Sequence, residues 1–534
     1  MRIVLGLVFS LTLSLGIAQE KVWVFFKDKP NVENQKVQPE KYLSALALER
    51  RERQNIALHP TDFPVESTYI NEIRSLNIEV ARTSKWLNAA SVYIYSQTEI
   101  DLLEALPFVE KTSPVKALKM TEVESFYKTN KSAAASLNYG DTKVQIQQLN
   151  GDFLHDNDYR GQGMMIAVID GGFSDVDNIG GFDSLWMNGR IVASYDFVDG
   201  DTNVFHLGSH GRSVLSVMGG YIDGVYVGTA PNADYVLLKS EDESSERKIE
   251  EDNWVAAAEF ADSVGADVIN SSLGYNTFDG GIGDYVYSDF DGRTTVVAQG
   301  AIWAHRKGIL VVNSLGNEGS SSWQYMLSPA DVDSILSIGG ADGADNYVGF
   351  ASVGPTYDGR LKPNVSALAA GVYVLTGSNT TQPGNGTSFA APLIAGLAAC
   401  LWQADPTLTN YQVKELIERS AHQYNNPDTL LGYGIPNFAL AYSKISVDEL
   451  SPFLKLNIYP LPFGDRISIE LPEELQLKNI GIKLFDISGR EIQIDARINL
   501  LRVVRIENLK DLPSGVYILN LSANNETKSF KLIH

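Results

Sequence analysis

Ile166-Ala167-Val168-Ile169-Asp170-Gly171-Gly172 is an apolar, β-branched run that stops on a carboxylate and two glycines. A run this short, apolar without alternation, predicts a strand buried on both faces, as in a parallel sheet. Similar runs lie further along at Tyr235–Leu238, Val268–Ile269, Ile309–Val312 and Ile335–Ile338, with helix-compatible segments between them. From about Leu137 to Ser443 this alternation predicts an α/β domain with helices on both faces of a parallel sheet. Ligands of such sheets bind outside the carboxyl ends of the strands, and Asp170 stands at one of those ends.

On the amino side, Lys21–Lys27 and Ala90–Tyr95 read as strands, with helical stretches at about Glu40–Asn55 and Tyr69–Leu76. They predict a small α+β unit over residues 19–135, ending in an exposed, protease-accessible linker at Lys128–Ser136. The first 18 residues read as a secretory signal: Arg2, the apolar run Ile3–Gly16, and small residues in Gly16-Ile17-Ala18. The apolar run falls short of the roughly 20 residues a spanning helix needs, and no later segment reads as a span in the mature protein. On the carboxyl side, Leu456–Tyr459, Arg466–Glu470, Ile482–Phe485 and Val516–Leu519 read as short strands. Turn signals at Ser488-Gly489 and Pro513-Ser514-Gly515 separate them, predicting a small β-sandwich over residues 450–534. The main domain then occupies residues 136–445.

A formal net charge of −22 over 534 residues argues against binding nucleic acid or anionic membrane surfaces. The single cysteine, Cys400, rules out an internal disulfide and reads as a small core residue in an apolar helix.

Two further segments carry chemistry. Ser209-His210-Gly211-Arg212-Ser213-Val214 opens an apolar, helix-like run. Asn385-Gly386-Thr387-Ser388-Phe389-Ala390-Ala391-Pro392 leads into a helix that is apolar all round, with Ser388 near its positive end. Taken singly, Asp170 reads as a turn aspartate, His210 as a structural histidine and Ser388 as an N-cap. Together they fill complementary roles. Serine needs a base to remove its proton, and imidazole titrates near neutrality. The imidazole in turn needs a buried carboxylate to hold its tautomer. Asp170, His210 and Ser388 supply these groups in the order Asp, His, Ser.

These motifs resemble those of the subtilisin family. Gly386-Thr387-Ser388 with Ala391-Pro392 is similar to the family's serine motif, and Ser209-His210-Gly211 to its histidine motif. Gly316-Asn317-Glu318-Gly319 resembles the segment whose asparagine donates to the oxyanion. Ser272-Leu273-Gly274 resembles the segment that pairs with an extended substrate. Gly228–Ala233 and Lys362-Pro363-Asn364 match further landmarks. The resemblance implies a serine endopeptidase: Ser388 attacks, His210 is the general base, Asp170 orients it, and Asn317 with the Ser388 N–H holds the oxyanion. Its departures are Ser213 in place of a second histidine, Arg212 in place of a small residue, and Phe389 in place of methionine. Arg212 beside His210 is expected to depress the imidazole pKa.

Residues of about 20–135 resemble an inhibitory prosegment that aids folding and is then cut away. Ile458-Tyr459-Pro460, Phe485–Arg490, Leu512–Tyr517 and Lys528–Ile533 resemble the sorting domain of type IX secretion cargo. The expected partners are therefore protein or peptide substrates and the type IX machinery, and the expected location is outside the cell or on its surface, reached via the periplasm. No cofactor is required by this chemistry. The carboxylates of Asp196, Asp199 and Asp201 could bind structural calcium, but their spacing fits no recognised loop. A solvated acidic turn is the better reading, and no metal ligand is assigned. The rival function is a catalytically inactive, surface-displayed binding protein on the same fold, against which the intact triad and Asn317 argue.

Overall fold

The computed structural model describes residues 20–114, 137–281, 283–445, 457–459, 463–471, 480–486, 490–498, 502–523 and 526–534. The secretory signal, the linker Lys128–Ser136 and the turn Ser488-Gly489 lie outside them.

The chain forms two compact units. In the first, residues 20–37 and 59–114 build an antiparallel sheet in the order Glu79–Ser84, Ala89–Ile94, Glu20–Phe26, Val109–Pro114. Helices Ser67–Ser75 and Gln97–Glu104 accompany it, and Val22, Val24, Ile73, Val92 and Leu103 form its core. Ser96 and Glu99 cap the second helix reciprocally, which explains where it starts.

The second unit holds residues 38–58 and everything from 137 onward that is described. Its centre is a seven-stranded sheet in the order Val365–Leu368, Leu336–Ala341, Leu310–Ser314, Val268–Ser271, Met165–Asp170, Asp234–Lys239, Ile191–Asp196. Every pairing is parallel. The strand quoted first above sits inside the sheet and is buried along its whole length, as its unbroken apolar character requires. Ile191–Asp196 was not legible as a strand. It lies at the sheet edge, where four of its six residues are half-exposed, so Ser194 is tolerated, whereas the buried Asp196 is paired with Lys239.

Helix Thr387–Ala404 carries no charged residue and runs buried against the central strands. It is long and apolar enough to cross a membrane, but most of it is covered by the core. Cys400 is buried in it, as expected, and its thiol donates to the Thr229 carbonyl at 3.3 Å. The helix packs closely because of Gly396, where an added Cβ would stand 2.0 Å from Thr229 Oγ1.

The last residues form two four-stranded antiparallel sheets around Ile467, Ile469, Leu484, Val504, Leu519 and Leu521. This is the β-sandwich that the short strands and the turn signals between them predict. It meets the parallel-sheet domain through Arg293, which pairs with Glu470 and lies with Arg360 over the Tyr459 ring.

Gly396→Ala should overpack the contact with Thr229 and lower stability by about 1–3 kcal/mol. A lower denaturant midpoint, partly restored by adding Thr229→Ala, is the expected result.

Candidate active site

Asp170 ends the interior strand Met165–Asp170, and its carboxylate is fully buried. Oδ1 accepts from the His210 Nδ1–H at 2.7 Å and from the Gly171 N–H at 2.8 Å. Oδ2 is buried with no hydrogen-bond partner among the described residues. His210 is the first residue of helix His210–Gly219. Gly211 lets that helix come so near: an added Cβ would lie 2.5 Å from the Gly172 carbonyl oxygen and 3.0 Å from Asp170 Cβ.

Ser388 stands in the first turn of the buried helix, where N–H groups lack intrahelical acceptors. Four residues on, Pro392 has no N–H to offer the Ser388 carbonyl. That carbonyl instead accepts from Ser272 Oγ at 2.8 Å, which ties the serine to the segment Ser272-Leu273-Gly274. The Ser388 hydroxyl lies 3.5 Å from the Ser272 carbonyl oxygen, too far to hold it firmly. The Phe389 ring, 6.0 Å from the imidazole centroid, packs beside His210.

Asn317 is positioned by Thr387, whose N–H and Oγ–H reach Asn317 Oδ1 at 3.0 and 3.2 Å. This orients the amide and leaves the Nδ2 hydrogens as its free donors. Gly386 turns the chain into the helix at φ +147°, a backbone that disfavours any side chain. A Cβ placed there would lie 3.7 Å from both Asn317 Nδ2 and the Ser388 nitrogen, so the two nitrogens are close neighbours of Gly386.

The Asp170 carboxylate raises the His210 pKa, burial opposes the rise, and the hydrogen bond to Asp170 and the charge of Glu243 add to it. The expectation that Arg212 depresses it is overturned. Arg212 is two residues on, which turns it roughly 200° around the helix from His210. There it pairs with Asp175 at 2.9 Å and donates to the Ser174 carbonyl at 3.0 Å. Glu243 escaped the sequence reading because nothing local links it to His210.

In the acidic run, Asp199 and Asp201 are exposed as expected, but Asp196 departs from expectation. Asp196 is buried, not solvated, and accepts from Lys239 Nζ at 2.7 Å and from the Val198 and Asp199 N–H groups. Asp199 and His206 lie close enough to Asp196 to share an ion. The Lys239 ammonium already supplies the positive charge there, however.

Leu327 is a second residue that sequence reasoning missed. Its side chain lies against Gly274 and Gly316, 2.5 and 3.0 Å from where their Cβ atoms would be. One of these glycines ends the Ser272-Leu273-Gly274 segment and the other precedes Asn317. Leucine before Ser328-Pro329 carries no motif, so only the fold places it.

A family model described as the subtilase family matches residues 161–434. The chain belongs to the subtilase family. Two further models match this subtilase: a Bacteroidota peptidase S8 propeptide domain over residues 21–133, and a secretion system C-terminal sorting domain over residues 457–534. Subtilisin of Bacillus pumilus is 30% identical over 321 residues, covering 58% of this chain and 99% of that protein. The thermophilic serine proteinase of Bacillus sp. strain AK1 is 28% identical over 329 residues, or 60% of this chain and 73% of the relative. The crystal structure of fervidolysin from Fervidobacterium pennivorans, a keratinolytic enzyme related to subtilisin, shares the fold with a TM-score of 0.57 at 17% identity. It covers 97% of this chain and 77% of that one. The subtilase is a serine endopeptidase, and its sorting domain marks it as secreted or displayed at the cell surface.

An imidazole whose pKa is raised stays protonated to a higher pH, so any reaction that needs it neutral loses rate at a higher pH on the acid side. NMR titration of His210 should give a midpoint above the usual value of about 6.5. Glu243→Gln, which removes one raising charge, should move that midpoint down and carry the acid limb of kcat/KM with it.

Proposed function

We propose that Ser388, His210 and Asp170 perform peptide-bond hydrolysis by acyl transfer. His210 Nε2 takes the Ser388 proton as Oγ attacks the scissile carbonyl. The imidazolium that forms is stabilised by the buried Asp170 carboxylate, and it then protonates the leaving amine. The oxyanion occupies the space shared by Asn317 Nδ2 and the Ser388 N–H, where donors already in place stabilise charge as it develops. Water then attacks the acyl-enzyme by the reverse proton path. The observation that carries this reading is the 2.7 Å contact between Asp170 Oδ1 and His210 Nδ1, which fixes the tautomer that leaves Nε2 free to act as base. Side chains and main chain supply every step. Any calcium at the Asp196 group would be structural.

Substrate main chain is proposed to pair with Ser272-Leu273-Gly274. The N–H and C=O of Gly274 have no hydrogen-bond partner among the described residues, and such pairing tolerates varied sequences. Leu327, lodged between Gly274 and Gly316, limits the room for the side chain preceding the scissile bond, so small residues are favoured there. The sorting domain is proposed to address the enzyme, once in the periplasm, to type IX export machinery.

A fluorophosphonate probe should label the enzyme but not Ser388→Ala, and labelling of the mutant would point to another nucleophile. Asn317→Leu should reduce kcat by about 10²–10³-fold with KM little changed, the known size of this effect in subtilisin itself rather than a figure derived from this geometry. For the pocket, Leu327→Ala should raise kcat/KM for peptides with large apolar residues before the cut about 10–200-fold relative to alanine peptides. A peptide-library cleavage profile of both enzymes reads this directly.

A further inference from the structure

Helix Ala45–Arg53 lies in sequence within the propeptide match, yet residues 38–58 belong to the same compact unit as the peptidase. It seats on the C-terminal ends of two helices, Ile249–Val264 and Val296–Arg306, where carbonyls are unpaired by the helices themselves. Arg50 is fully buried, donating to the carbonyls of Ala266 at 2.5 Å and Lys307 at 3.0 Å and to the Asp262 carboxylate at 2.5 Å. Arg51, also buried, donates to both oxygens of the same carboxylate at 2.8 and 2.9 Å. Arg53 reaches Asp267 at 2.8 Å, whose other oxygen accepts from the N–H of Met165, the first residue of the interior strand. Ser44 caps the helix and also donates to the Ser263 and Val264 carbonyls, while Gln54 bridges the Gly308 carbonyl and the Asn410 N–H.

The receiving surface is shaped for this helix. A Cβ on Gly265 would meet Leu46 at 2.5 Å, and one on Gly308 would meet Gln54 at 2.7 Å. Asp262 is fully buried in the last turn of its helix, where the dipole disfavours a carboxylate. Removing the guanidinium groups would strand that charge, and breaking a buried pair costs far more than making one gains.

We propose that the peptidase domain carries a binding site for a di-arginine helix, and that residues 38–58 stay bound there after the prosegment is cut, as a permanent part of the mature enzyme. The surface lies at the amino edge of the sheet, opposite the end that carries Asp170, so a bound helix there leaves the substrate cleft open. This inference rests on the chain being processed as a subtilase zymogen. The test therefore reads binding and not peptidase activity.

Full-length Ser388→Ala protein with a recognition site for an unrelated protease inserted near residue 130 is cut, then followed by native gel filtration and intact mass. The N-terminal fragment should stay with the peptidase, and Arg50→Gln/Arg51→Gln should speed its dissociation about 100-fold or more. Equal retention in both would overturn the proposal. Should the double variant not fold, a chain with residues 38–58 replaced by a Gly/Ser linker is mixed with a synthetic peptide of that sequence. The peptide should raise its unfolding temperature or rescue its folding, and the Gln/Gln peptide should not. No effect of the natural peptide would equally overturn the proposal.

Discussion

A helix of 18 residues without one charge cannot face water, and the burial of Thr387–Ala404 is the constraint on which the rest of the peptidase depends. Packed against the parallel strands, it has to emerge with its amino end at the edge where those strands finish. All seven strands run the same way, so Asp170, Ser272 and Asn317, each at or just beyond a strand's carboxyl end, arrive at that edge together. Pro392 turns this packing into connectivity, because the carbonyl it leaves unpaired is the one that Ser272 Oγ holds.

The two ends of the sheet treat buried charge in opposite ways. At the amino edge, Asp262 is saturated by guanidinium donors, and the Asp267 carboxylate is shared between Arg53 and the main chain. Such networks rigidify what they join. At the carboxyl edge, Asp170 keeps one buried oxygen without a partner, and the Ser388 hydroxyl is loosely held. A buried carboxylate oxygen left without a partner breaks a local rule, which is the pattern expected where a site is prepared for chemistry.

The sandwich at the carboxyl end brings its own core and meets the peptidase through a few charged and aromatic groups: Arg293, Arg360, Tyr459 and Glu470. A unit with its own core and a polar contact of this kind suits a segment whose role is address rather than catalysis.

The sequence by itself determined which residues form the interior strands, because a strand buried on both faces must be apolar along its length, and Met165–Ile169 is, up to the carboxylate that ends it. It also determined the serine helix, which has no polar face, and the motifs around Asp170, His210, Asn317 and Ser388, whose glycines mark close backbone approaches. The edge strand Ile191–Asp196 escaped because exposure relaxes its composition. Arg212 misled because adjacency in sequence turns a helical side chain away from its neighbour, toward Asp175. Glu243 near His210, Lys239 neutralising Asp196, Leu327 against Gly274 and Gly316, and the arginine helix seated on Asp262 were decided only by tertiary structure. Periodicity reports whether a residue is buried, whereas the partner of a buried charge or the neighbour of a cleft residue is set by packing between segments tens to hundreds of positions apart.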